Sequence, residues 1–519
     1  MQIEPLIAWL SEHLLQSCSL AQLGIVCAGL DLTLWQIAPA QLDPHERVEL
    51  LLEHLIEHKL LTELAKGILR DETVSEKAQK LGLEALIPPH SQPALSSPQP
   101  DRSATQAKLP SDEPTISALL AAFDQRIAAD DPLLAYEIVS EQLGGFAHLG
   151  CRLGRSRLLL ELIRRLYPLA APLSAADPAW QARYAQLLWW ETEALRMTGQ
   201  LDAALVTTER KWPFHQEMLP GLRLRQAQIH RLAGRLKQAS SLAHKAQALS
   251  PDLSQQAAAA TEQAMLSLLQ GDASLCLLHL QRSRTLLREA GQTVDPWPLR
   301  LSLLLATRAL RMQDVTEARK WLASCAARAE QLHDTLAEAE TAVLLADALR
   351  RDGEHEAAAQ AIAKAMQFAN HSGAAEVLVA AGREQARLHM DLTNYEAAAA
   401  ALGTALALSE ELSLACYRID LLNLRGQLQL RRSNPQAAER DARDALAYAM
   451  AKECGYQWGE ADSLHLLAVT LLSNRPRVQS LRHNEAITHL SDELELRDRM
   501  QDPTAPEVRW LIRRLRTVA

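Results

Sequence analysis

Residues 393–409 read TNYEAAAAALGTALALS, and residues 234–251 read GRLKQASSLAHKAQALSP. Each opens on a turn residue, sets a large side chain two positions later, and then places alanines at fixed intervals. The same intervals recur along the chain. A small residue is followed after twelve positions by a second and after seven more by a third. The sets are Ala227/Ala239/Ala246, Ala264/Cys276/Ser283, Ala306/Ala318/Cys325, Ala346/Ala358/Ala365, Ala386/Ala398/Ala405 and Gly426/Ala438/Ala445, with a weaker Thr192/Ala204/Lys211 before them. Their middle members lie 35, 37, 42, 40, 40 and 40 residues apart, so the period drifts while the internal offsets hold. Two antiparallel helices joined by a tight turn come close only where side chains are small. The first small residue therefore belongs midway along a first helix, and the other two on one face of a second.

Composition supports helices. Hydrophobic residues make up 48% of the 519 but aromatics only 4%. Long runs of Ala, Leu, Glu, Arg and Gln favour helix over strand. Gly199, Gly234, Gly271 and Gly353 stand where a first helix should end on a left-handed residue. Leu201, Leu236 and Tyr395 follow as packing wedges.

The two quoted stretches resemble the tetratricopeptide repeat, over roughly residues 180–450. That resemblance implies helix pairs wound into a right-handed superhelix with a concave binding face. The longer spacing, ~40 rather than the family's usual ~34, implies longer helices. Residues 132–168 read as an irregular first pair. Beyond 455 the pattern departs, with an insertion near SNRPRVQSLRHN, and VRWLIRRLR (508–516) reads as an amphipathic cap. In such an array Trp189, Arg196, Arg231, Arg311, Arg350, Arg383, Arg387 and Arg431 would occupy the exposed, concave side of the first helices. An arginine recurs there in nearly every repeat. The reading is a basic groove that holds an acidic peptide or protein segment through bidentate pairs; an ordinary solvated face is the alternative.

A composition break precedes the repeats. Residues 88–115 hold seven of the 23 prolines. Too few large apolar residues accompany them to offset the entropy of ordering, so residues 85–115 read as a disordered linker. It separates a small domain, 1–84, from a large one, 116–519. The formal charge of −9 is uneven, because residues 1–84 carry 6 Lys/Arg against 13 Asp/Glu. In the small domain Asp43-Pro44-His45-Glu46 writes a helix start, and Glu46, Glu49, Glu53 and Glu57 share one face of the helix that follows. The apolar pattern of LAQLGIVCAGLDLTLWQI (20–37) and ERVELLLEHLIEHKLLTELAKGIL (46–69) resembles the effector-associated, death-fold-like domains of bacterial conflict systems. The resemblance implies a small helical bundle that pairs with a like domain on an effector protein, with the acidic stripe as a partner contact.

The fold class expected is therefore all-α, a small helical bundle followed by a tetratricopeptide-type α-solenoid. A catalytic site is not legible. There is no phosphate-binding G-x-x-x-x-G-K-[ST], no G-x-S-x-G and no H-E-x-x-H. His54 and His58 share a helix face but lack a third ligand nearby. The seven cysteines are scattered, and two of them, Cys276 and Cys325, stand at small-residue positions. No catalytic residue, cofactor or metal is assigned. The net charge speaks against a nucleic-acid partner and a polybasic membrane contact. No secretory signal or membrane span is legible, so a cytoplasmic location is expected. The function these readings imply is a non-enzymatic adaptor or sensor of a bacterial conflict or immune system. A transcription-associated regulator and a divergent hydrolase are the rival readings.

Overall fold

In a computed structural model of the chain, the described residues are 113–175, 177–210, 215–292, 298–451, 453–473 and 479–518. All lie in one compact unit, Ala107–Ala519. The calls on residues 1–84, including the acidic stripe and the His54/His58 pair, fall outside them, as does most of the linker call.

Among the described residues every regular element is helical. Helices α1 (Glu113–Ala128) and α2 (Pro132–Glu137) lead through two π-helical turns (Ile138–Gln142, His148–Arg152) into α3 (Ser156–Ser174). Then come α4 (Pro178–Met197), α5 (Leu201–Glu209), α6 (His215–Leu232), α7 (Leu236–Leu249), α8 (Leu253–Leu269) and α9 (Ala273–Glu289). Next are α10 (Leu299–Arg311), α11 (Val315–Leu332), α12 (Thr335–Arg351), α13 (His355–Ser372), α14 (Ala375–Asp391) and α15 (Tyr395–Glu411). The chain ends with α16 (Ala415–Arg431), α17 (Pro435–Ala449), α18 (Gln457–Ser473), α19 (Gln479–Arg499) and α20 (Ala505–Val518). Each helix packs on the next, and from α8 to α18 each first helix also packs on the following first helix, which makes the array a solenoid of hairpins. No described helix is long and apolar enough to cross a membrane.

The small-residue register is the one the spacing predicts. Each non-glycine member of the six strong sets is at most 3% exposed, and Gly426 is buried with them. At Gly426 an added Cβ would meet Leu466 at 2.5 Å. Close approach of the two helices thus rests on the missing volume.

The turns repeat as faithfully. Seven positions after the first small residue the chain takes a positive φ: Gly199, Gly234, Gly271, Gln313, Gly353, Thr393 and Ser433. The next residue's N–H then donates back to a carbonyl five residues earlier, as in Arg235 to His230 and Asn394 to His389, both at 2.8 Å. That bond closes a Schellman turn and satisfies a carbonyl the helix end would leave open. The residue after the turn caps the second helix: Asp272, Asp314, Asn394 and Asn434 each accept a backbone N–H with their side chain. Such a cap is worth ~1 kcal/mol.

The array is wound tightly enough for distant hairpins to touch, along a line we call the seam. An added Cβ at Gly154 would meet Thr335, one at Gly199 would meet Ala375 and Leu412, one at Gly234 Ala415, and one at Gly271 Met500. Lys237 donates its backbone N–H to the Glu453 carbonyl at 3.4 Å. Trp458 donates its indole Nε1–H to the Leu268 carbonyl at 2.7 Å, across 190 residues of sequence. One apolar cluster accordingly runs from Ile116 to Met500, joining α6 and α7 to α14, α15 and α16. Beyond 455, where the small-residue pattern lapses, α18 and α19 still pair, and α20 packs Val508 and Ile512 onto them.

Candidate functional site

The first helices carry a charged network on the side they turn to one another. Glu193 on α4 binds Arg196 at 2.8 Å and Arg225 of α6 at 2.7 Å. Arg231 on α6 binds Glu262 of α8 at 2.7 Å and reaches Glu376 of α14 at 3.6 Å. Asp347 on α12 holds Arg350 and Arg351, each at 2.7 Å. Glu384 on α14, 1% exposed, accepts from Arg383 and Arg387, both at 2.9 Å. Its other oxygen makes no hydrogen bond and faces Arg350 Nε at 3.9 Å. Asp420 on α16 accepts from Arg383 and from the Tyr456 hydroxyl, both at 2.7 Å, and Arg311 donates to that hydroxyl at 2.7 Å.

The protonation states follow from this pairing. Burial alone would raise the Glu193 carboxyl, but Arg196 and Arg225 outweigh it and hold it down to about 2. Asp347 and Asp420 are likewise held below the usual carboxylate range against their burial, by Arg351, Arg387 and Arg350 in one case and Arg311 and Arg383 in the other. These groups are ionised pairs in a poorly solvated place. Breaking one by removing a single partner costs ~3–5 kcal/mol.

This corrects the sequence expectation in one respect. The arginines recur along the first helices, but among them only Arg431 is exposed; the other six are partly buried and each has a carboxylate partner. The side chains of Arg196, Arg231, Arg350 and Arg383 are 11–16% exposed, and each has a carboxylate partner. Arg387 binds Glu384, and Arg431 donates to the Met390 carbonyl at 2.8 Å. Trp189 lies under the Arg225 guanidinium, 4.8 Å from its ring centre, and against Gly221. Three of these arginines, Arg196, Arg350 and Arg387, bind a carboxylate three residues earlier on the same helix; helix periodicity cannot show the counter-ions that other helices add, such as Glu262 for Arg231 and Asp420 for Arg383. A signal did exist. The tripeptide Glu-Gln-Ala occurs at 262–264 and 384–386, with the carboxylate two residues before the small residue, and acids directly follow Thr192 and Ala346.

Two clefts open along the seam. One, about 750 Å³, is lined by the turn residue Gln313 and by Asp462, His465, Glu493, Arg497, Glu507 and Trp510, with Val508 and Leu511 among its apolar walls. Arg497 organises its floor. It binds the fully buried Glu493 at 2.6 Å, Asp502 at 2.5 Å and Asp462 at 2.9 Å. His465 Nδ1 lies 3.1 Å from the other Glu493 oxygen. Burial would lower the His465 pKa, but the bond to Glu493 and its charge outweigh it and raise it above the usual imidazole value. Trp510, 58% exposed, stands at the wall with Arg514 over its indole. Val508, Trp510 and Leu511 fall in the stretch 508–516 that the sequence marks as an amphipathic cap, but no cleft residue was singled out as a binding residue, because most of them stand on α18 to α20, outside the regular repeat. The second cleft, about 600 Å³, flanks the Gly199 turn and is lined by Arg157, Arg164, Arg165, Glu161, Thr198 and Glu411, among others.

Cys276 and Cys325 fill their small-residue places, and burial pushes each thiol up to about 12. Among the described residues no group of three or more His, Cys, Asp or Glu side chains is placed to hold a metal ion.

No family model and no curated protein matches the chain. Helical-repeat structures do. The Rap protein complexed with competence and sporulation factor is similar at 13% identity over 64% of this chain and 98% of that one, with a TM-score of 0.44. The human IFIT1 dimer with PPP-AAAA is similar at 14% identity over 79% of this chain and 92% of that one, with a TM-score of 0.37. A signal transduction ATPase with a tetratricopeptide repeat sensor from Pyrococcus horikoshii is similar at 12% identity and a TM-score of 0.37; this chain matches 69% of itself to 49% of that protein. Likeness at this level carries no function across. What stands on the chain's own geometry is an all-α solenoid of tetratricopeptide-type hairpins.

Proposed function

We propose that the protein is a non-enzymatic interaction protein whose solenoid binds a protein or peptide segment and whose N-terminal 84 residues recruit an effector, as an adaptor or sensor of a bacterial conflict system. The observation that carries the solenoid half is the contrast between the inner face and the 750 Å³ cleft. All of the first-helix arginines but Arg431 already have carboxylate partners, so a ligand there must displace a buried ion pair. The cleft at Gln313 offers an exposed indole, apolar walls and polar groups held rigid by Arg497, which is the mixture a peptide-sized ligand uses. The recruitment half is supported by the family resemblance of residues 1–84 and by the stripe Glu46/Glu49/Glu53/Glu57, whose charge would set partner choice and on-rate more than affinity.

Full-length protein carrying a photo-crosslinking residue at position 510 tests the solenoid half. The reading predicts a discrete adduct in cells of the native host that is absent when the crosslinker sits at exposed Val206. No adduct at 510, or the same adducts at both positions, contradicts it. Reversing the four stripe glutamates to lysine in the full chain should abolish co-purification of the effector while leaving the position-510 adduct intact. Unchanged co-purification contradicts the recruitment half alone.

A further inference from the structure

The larger cleft has a sign. Glu493, fully buried, spends both oxygens on Arg497 and His465. Arg497 in turn shares its one positive charge among three carboxylates, Glu493, Asp502 and Asp462. Asp462 gives a single oxygen to that bond. Its side chain is 40% exposed, and its other oxygen takes no hydrogen bond from the described residues. Glu507, exposed in the first turn of α20, has no ion pair among the described residues. Four carboxylates thus answer one guanidinium and one imidazole. The balance is negative whichever charge His465 carries, and Arg514, which does not line the cleft, offsets one charge at most.

Trp510 is the second feature. Helix α20 packs Val508 and Ile512 onto α18 and α19, yet it leaves this indole outside the core, at the cleft wall. Arg514 lies 5.2 Å from the ring centre, so the ring already receives a guanidinium on one face; an indole has two. A guanidinium can stack on an indole and present its donor fork to a carboxylate at the same time, which a compact ammonium does less well. The first-helix arginines suggest an acidic ligand until their counter-ions are seen. The cleft asks for the opposite charge.

We propose that the cleft takes a basic peptide segment, seating an arginine side chain against Trp510 and the carboxylates of Asp462 and Glu507. The inference rests on the reading of this cleft as the binding site of the solenoid, and it names the class of ligand. Val508 and Leu511 offer an apolar neighbour of that arginine a wall to pack on. The buried Glu493 and Arg497 stay paired throughout. They hold Asp462 in place, so the carboxylate meets its ligand already oriented. An acidic segment would meet the same carboxylates as like charges and be turned away.

A random dodecapeptide library displayed on phage and selected on the full-length protein tests this, with Trp510→Ala as the counter-selection. Peptides kept by the parent and lost on Trp510→Ala should be enriched several-fold in arginine over the input and depleted in Asp and Glu. For the best of them, made synthetically, Glu507→Lys should weaken binding ~10-fold and Asp462→Asn several-fold. Glu330→Lys, the same charge change at an exposed site on α11, should leave binding unchanged. Higher salt should weaken the parent complex. Trp510-dependent peptides that are acidic, or that lack basic enrichment, would overturn this inference while upholding the cleft as a binding site. Basic peptides weakened equally by Glu507→Lys and Glu330→Lys would also overturn it, because net charge alone would then explain them. No Trp510-dependent peptide at all would contradict the binding-site reading and this inference with it.

Discussion

Two groups of hairpin turns share one backbone and differ in what lies opposite. Gly199, Gly234 and Gly271 take a positive φ in turns that a later part of the solenoid packs against, and a Cβ at any of them would come within 2.5–2.9 Å of a neighbour. Gln313, Thr393 and Ser433 take nearly the same φ, 58–59°, at the same offset, with exposed side chains. Gly353 makes the control, with positive φ and nothing within 4 Å of its added Cβ. The left-handed turn alone therefore does not demand glycine; an L residue occupies it at a cost of ~1 kcal/mol. Glycine is needed where the seam passes. Where the seam opens, at Gln313, a large side chain stands in the turn and lines the larger cleft.

The largest expected effect lies on the axis that both groups of hairpins share. Glu384→Ala leaves Arg383 and Arg387 each short of a carboxylate contact and should destabilise by ~3–5 kcal/mol in urea unfolding. A loss below 1 kcal/mol would mean that the network is solvated and that the axis does not hold the two groups together.

Next come the turns themselves. Gly234→Asn, which must push against Ala415, should cost ~1–3 kcal/mol beyond Gly353→Asn, which meets only open space. Equal melting temperatures for the two variants would remove the distinction between seam turns and open turns.

An effect that shows only below neutral pH belongs to His230, at the end of α6 just before the Gly234 turn. It is 5% exposed, and burial together with Arg235 pushes its pKa down from 6.5 to about 4. The unfolded chain then binds a proton that the folded chain refuses. Stability should fall as pH drops from 6.5 toward 4, and His230→Gln should flatten that part of the pH profile. A variant with the parent slope would assign the acid sensitivity elsewhere.

How far this was legible from sequence follows from the range of each interaction. The offsets of twelve and seven and the glycines report contacts inside one hairpin, so Ala358 and Ala398 fall in register and Gly234 at a left-handed turn. The inner arginines were legible as a stripe, because Arg196, Arg231 and Arg350 keep one offset from the small residue. Arg196 and Arg350 have a carboxylate three residues earlier on the same helix, but the partners of Arg231 were not legible, because Glu262 and Glu376 stand on other hairpins. The cleft of His465, Glu493 and Arg497 was invisible for a second reason: it is built by α18 to α20, where the repeat pattern has lapsed. Nor does any periodicity announce the seam, since winding depends on small angular increments summed over many hairpins.

The winding is the central claim, and one crosslink tests it most directly. Lys237 stands beside Gly455, 3.8 Å from a Cβ added there, and its backbone bonds Glu453. Full-length protein with a benzoylphenylalanine at position 237, irradiated at low concentration and digested, should yield an intramolecular crosslink to the peptide containing Glu453 to Gly455. Crosslinks confined to neighbouring residues of α6, α7 and α8 would show an open solenoid in which the seam, and the two clefts along it, do not form.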